Sequence, residues 1–152
     1  MANTLDIIPF GLGMKALFNK EIDWTDGNVK VALTTSTFTP DQDTHDYFDD
    51  ITNEVVATGY TAGGQALASP ASDYTAGTNL LTLDADNLVW TITGSLTARN
   101  IIIYYDTGTP STSALIAYGV FEVDASPADI VTTDGDLTLS WNASGLLTTT
   151  IT

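Results

Sequence analysis

Three closely spaced segments decide the fold: LVWTIT (Leu88–Thr93), ARNIIIYY (Ala98–Tyr105) and ALIAYGVFEV (Ala114–Val123). Each is short, rich in β-branched and aromatic residues, and bounded by turn-forming residues, which reads as a strand. The middle segment is apolar almost throughout, as expected of a central strand covered on both faces. Working outward, Ile130–Thr132, LTLSW (Leu137–Trp141) and LLTTTI (Leu146–Ile151) continue the series. Asp134-Gly135-Asp136 reads as a hairpin turn between the first two, and Asn142–Gly145 as the turn before the last. Toward the N-terminus, Asn79–Leu83 is joined to Leu88–Thr93 by Asp84–Asn87, a hairpin-type connection. VKVALTT (Val29–Thr35), EVVAT (Glu54–Thr58) and Gln65–Ser69 are further strands, and Gly59–Gly64 (GYTAGG) is a turn needing left-handed backbone. The polar stretch Asp41–Asp50 reads as a loop or single helical turn that tucks Tyr47 and Phe48 inward. Eight or nine short strands spaced about 8–15 residues apart predict an all-β fold, an antiparallel β-sandwich of jelly-roll-like type. Strand order is not written in periodicity.

The start of the chain reads differently. Residues 1–8 are expected to form an extended N-terminal arm, and 9–152 a single domain with a short leading helix. Pro9 suits a first helical position. Phe10, Met14, Leu17 and Phe18 then recur on one helical face. Gly11 and Gly13 weaken that helix by about 1 kcal/mol each relative to Ala, so packing must hold it. The four apolar residues would pack either on the domain's own sheet or on a partner.

Composition narrows the function classes. Charged residues are 15% of the chain, against a usual share of about 25%, so the polar surface must come from elsewhere, and 26 threonines supply much of it. Thr favours a pleated, half-exposed surface over a helix. Nineteen acids against four bases give a net charge of −15. No basic footprint exists for duplex DNA or an anionic membrane, so neither is expected as a partner. The absence of cysteine excludes disulfides, thiolate nucleophiles and Cys-ligated metal sites. No apolar run is long enough for a transmembrane helix. No basic residue precedes the first apolar stretch, so a signal peptide is not expected, and synthesis in a cytoplasm without general secretion is.

No constellation compels chemistry. His45, the single histidine, lies in an acidic, turn-like segment. A triad would need Ser and Asp from elsewhere, and there is no Gly-x-Ser-x-Gly elbow; an exposed loop histidine is the favoured reading. Asp41/Asp43, Asp84/Asp86 and Asp134/Asp136 invite calcium, but none extends into an EF-hand loop, and turn-forming Asp bonding its own backbone is preferred. Trp24, Trp90 and Trp141 lie in or beside apolar stretches and are assigned to packing. Gly59–Gly64 has no lysine to meet a phosphate and is no phosphate loop. Arg99 opens the most apolar strand; it serves either an ion pair at the core edge or an intermolecular contact. No catalytic, cofactor-binding or metal-ligating residue is assigned, and no cofactor is expected.

Several segments, in order, resemble a family of small phage structural proteins. They are Ile22-Asp-Trp24 with Asn28–Thr34, Tyr47–Ile51, Val55–Leu67, and Ile101–Pro110 followed by Leu115–Tyr118. Together they span most of the chain. The resemblance implies a virion structural protein without catalytic residues, assembled on a head or tail. The expectation is a non-enzymatic capsid decoration (cement) protein bound at capsid subunit junctions. Its partners would be the major capsid protein or other virion proteins, and a homo-oligomer is expected. The alternatives are a tail or neck component (tube, adaptor or fibre base) and a host-glycan-binding module. Candidate partner contacts are Phe10, Met14, Leu17, Phe18 and Arg99.

Overall fold

A computed structural model describes residues 3–152. The strand-upon-strand pattern becomes eleven strands: β1 Asn3–Pro9, β2 Val29–Thr34, β3 Gln65–Ala66, β4 Ala71–Thr75, β5 Leu80–Asp84, β6 Leu88–Ala98, β7 Asn100–Tyr105, β8 Leu115–Val123, β9 Ser126–Pro127, β10 Ile130–Leu139 and β11 Leu147–Thr150. One helix, α1 (Gly11–Phe18), follows β1. All pairings are antiparallel, and the fold is all-β and sandwich-like. The main sheet has the order β1-β8-β7-β2-β3, with β9 also paired to β8. A two-stranded ribbon, β10-β6, and a three-stranded sheet, β11-β5-β4, complete it.

The central strand behaves as its sequence demands. In β7, Ile101 and Ile103 point into one core with Val29, Val31 and Leu33 of β2 and Leu88, Trp90, Ile92 and Leu96 of β6. Ile102 and Tyr104 point the other way, into a second cluster with Phe10, Ala32, Phe38 and Leu115. Two covered faces explain why the segment lacks polar alternation. Trp24 and Trp90 are buried in the larger core, as their flanking apolar residues predicted.

Four expectations need correction. Residues 3–9 are extended, but they form an edge strand of the domain itself, paired along β8 from Asn3↔Val123 to Pro9↔Ala117. Pairing satisfies the backbone groups that a free arm would leave to water. Asp134-Gly135 is no hairpin turn. It lies inside β10, where two residues of β6 stand against one of β10 between the Ser95↔Thr133 and Ile92↔Gly135 pairs. Asp134 adopts φ +44° and its carboxylate accepts the Gly94 N–H at 2.7 Å. A short side chain that tolerates left-handed backbone can sit at a bulge as well as at a turn. Asp84–Asn87 does not close a hairpin either, because β5 and β6 lie in different sheets. The connection is gripped instead: Trp24 Nε1–H donates to the Asp84 carbonyl at 3.3 Å and Trp141 Nε1–H to that of Asp86 at 3.0 Å.

Glu54–Thr58, expected as a strand, makes only isolated bridges, Thr34↔Glu54 and Thr58↔Thr93. The segment crosses from the main sheet to the ribbon, so no partner runs alongside it. It still completes the edge of β2 beyond β3. The Val55 N–H donates to the Leu33 carbonyl at 2.9 Å, and the Leu33 N–H donates to the Tyr60 hydroxyl at 2.9 Å. That hydroxyl in turn donates to Glu54 Oε1 at 2.6 Å, which also accepts the Gly63 N–H at 2.6 Å. Burial and the adjacent Glu54 carboxylate push the Tyr60 phenol far above its ordinary value, so it stays a donor. Tyr60→Phe strands the buried Leu33 N–H and removes one donor from Glu54. We expect a loss of about 1–3 kcal/mol, read as a lower urea midpoint at unchanged slope. An unshifted midpoint would show that water replaces the hydroxyl.

Candidate interaction surface

The residues singled out from sequence fall in different environments. Phe10 is fully buried, its ring 5.0 Å from that of Tyr118. Met14 and Leu17 are half-buried, while Phe18 is 78% exposed. The helix face turned to the sheet is thus rotated from the one its apolar residues outline: Gly13 and Ala16 are the buried helical positions. A Cβ on Gly13 would lie 2.0 Å from the Leu115 carbonyl oxygen, so the missing side chain is what lets α1 rest on the β8 backbone. Close approach outweighs hydrophobicity in setting the helix's rotation.

Arg99 makes an ion pair within the chain. Its Nε donates to Asp129 Oδ1 at 2.8 Å, at the edge of the sandwich. A second ion pair among the described residues joins Lys30 Nζ to Asp106 at 2.6 Å. The Lys30 ammonium, assisted by the Gly108 N–H, holds the Asp106 carboxyl below its ordinary range despite partial burial. A depressed folded pKa contributes stability above the unfolded value of about 3.9 and loses it as pH falls through the folded one. Asp106→Asn should therefore lower stability at neutral pH by up to about 1 kcal/mol, since the pair is partly exposed, and should cost less at pH 3 than at neutral pH. Urea titrations at both pH values test this; equal losses would assign the effect to packing.

The remaining candidates for chemistry are committed locally. His45 is half-buried rather than exposed: its ring stacks on Phe38 at 5.3 Å, and Nδ1 accepts the Asp41 N–H at 3.1 Å. Asp41 Oδ1 accepts the Asp43 N–H at 2.9 Å, and Asp136 Oδ1 accepts the Thr91 hydroxyl at 2.7 Å. Among the described residues, no three acidic or histidine side chains converge as a metal site would require. Phe48 tucks inward as expected and stacks on Tyr104 at 4.1 Å, but Tyr47 stays exposed. Asp50 accepts the Asp46 N–H at 2.9 Å and that of Tyr47, and these bonds fix the turn.

What the molecule offers is surface. The β4–β5 hairpin, Ala71 to Asp84, contains no buried residue, and every side chain of β4 is exposed. Tyr74 and Leu81 are cross-strand partners on one face of it. No sequence signal marked β4, whose ASDYT is polar and irregular. Compared with known proteins, the chain matches no family model, no curated protein and no solved structure. No described helix is long and apolar enough to cross a membrane.

Two further exposed apolar side chains belong to α1, and a third lies in the adjoining Asp41–Asp50 segment. Leu12, Phe18 and Tyr47 are three of the eight large apolar residues exposed among the described positions. Leu12 and Tyr47 line one shallow groove with Lys15, Ala16, Glu21, Asp46 and Ala114. Glu21 in it accepts the Asn19 side-chain amide at 3.0 Å.

Proposed function

We propose that this chain is a non-enzymatic phage virion structural protein, a capsid decoration protein that stabilises the head by binding at capsid subunit junctions. The β4–β5 hairpin carries the reading. Two strands without a buried residue are marginal in water, and β11 adds only one further strand with little buried surface. Such an element has most to gain from a neighbouring protein that covers it. The ordered resemblance of its segments to phage structural proteins points the same way. The side chains that might have carried catalysis are instead held in turns and stacks. A net charge of −15 suits partner surfaces that are neutral or basic.

The deciding experiment adds the purified chain to phage heads that lack it. Binding to the head surface and a higher temperature of DNA release are expected. Tyr74→Ser, on the exposed face of the hairpin, should weaken that binding with no loss of fold. Heads that neither bind the chain nor gain heat resistance would defeat the reading, and attachment to tails would select a tail or neck role instead.

A further inference from the structure

We infer that the outer face of α1, together with the adjoining Asp41–Asp50 segment, is a self-complementary surface on which two copies of this chain pair about a two-fold axis. Charge sets this face apart. Of four cationic side chains, Lys30 and Arg99 are engaged by Asp106 and Asp129. Lys15 and Lys20 have no ion-pair partner among the described residues, and both belong to α1 or its exit. On a chain of net charge −15, this is the place where the acids of a second copy meet free positive charge.

The acids needed lie beside it. The Gly11 N–H donates to the Gln42 carbonyl at 3.2 Å, which ties the helix start to the acidic segment. Asp43 and Asp49 are exposed there, and Asp46 shares the groove with Lys15 without forming an ion pair. Burial and the Asp50 carboxylate raise the Asp46 carboxyl above its ordinary value, as befits an acid that no cation of its own chain relieves. The exposed Leu12 and Tyr47 line the same groove as Lys15 and Asp46, and the exposed Phe18 is the last residue of α1.

A patch that carries both signs of charge beside exposed apolar groups satisfies itself under two-fold rotation. Lysines of each copy then face acids of the other, and their apolar side chains meet. A head-to-tail contact would need the acidic and basic partners on opposite sides of the molecule, and here they adjoin. Long-range repulsion between two acidic chains opposes any association that lacks such local pairing. The inference is independent of the virion reading, because self-pairing and particle binding are measured separately.

The test is native mass spectrometry and sedimentation of the full chain. A monomer–dimer equilibrium that stops at two is expected. Phe18→Ser and Lys15→Glu alter exposed side chains and should each weaken the dimer about tenfold, with unchanged circular dichroism. Asp46→Lys should weaken it similarly. Mixing the Lys15→Glu and Asp46→Lys proteins should restore pairing as a heterodimer, since one contact is then charge-reversed, the other is the native Lys15–Asp46 contact, and both match. A strictly monomeric chain, a dimer indifferent to Phe18→Ser and Lys15→Glu, or assembly beyond two would each overturn the inference.

Discussion

Gly64→Ala is expected to destabilise the protein by at least about 3 kcal/mol, enough to unfold a marginal domain. Gly64 has φ +74°, and an L-residue there costs about 1 kcal/mol before any contact is considered. The larger contribution is steric. A Cβ would lie 1.9 Å from the Val31 carbonyl oxygen and 2.8 Å from the Ala32 Cα, both main-chain atoms of β2. That strand is held along its length by β7, from Val29↔Tyr105 to Thr34↔Asn100, and has no room to retreat. The glycine turn must lift instead. It would take with it the β2–β3 pairing, the 2.8 Å bond from the Leu67 N–H to the Val29 carbonyl, and the 2.6 Å bond from the Tyr104 hydroxyl to the Gly63 carbonyl. Gly27→Ala is the control: its φ is +84° but no atom lies within 4 Å, so it should cost only the backbone share. Urea midpoints followed by tryptophan fluorescence compare the two. Equal losses would mean that the turn does not sit against β2.

Gly13→Ala should also destabilise, by about 2–3 kcal/mol, although the same change in an exposed helix stabilises by about 1 kcal/mol. The sign reverses because a Cβ on Gly13 would stand 2.0 Å from the Leu115 oxygen and 2.9 Å from the Ile116 Cα. The helix would have to move outward. Its shift would strain the 2.9 Å bond from the Phe10 N–H to the Ile116 carbonyl and expose Phe10, now fully buried. Gly11, two residues earlier, meets nothing nearer than the Gln42 oxygen at 3.8 Å. Gly11→Ala should leave stability unchanged or raise it by a few tenths of a kcal/mol. Thermal melts of the two variants make the contrast directly, and a stabilised Gly13→Ala protein would show that α1 does not touch β8.

The proposed interaction surface was partly legible in the sequence. Phe18 was singled out and is exposed, but it was grouped with Phe10, which is buried, because helical periodicity tells which residues share a face and not which face meets the sheet. Lys15 and Lys20 gave no signal until the pairing of Lys30 and Arg99 set them apart. Of the β4–β5 hairpin only β5 was legible: Asn79–Leu83 reads as a strand, whereas every side chain of β4 is exposed and its ASDYT shows no apolar alternation.

By itself the sequence determined the class of fold. Thr abundance, short apolar runs and intervening turn residues leave few alternatives to an antiparallel β structure, and the unbroken apolar run in β7 marked the strand at its centre. Those properties are local, set by the side chains of a few adjacent residues. Tertiary structure alone decided whether Asp134-Gly135 turned or bulged, whether Asp84–Asn87 closed a hairpin, and that residues 3–9 dock along β8. Each depends on which distant backbone lies opposite, and a chain's propensities carry no record of its partner.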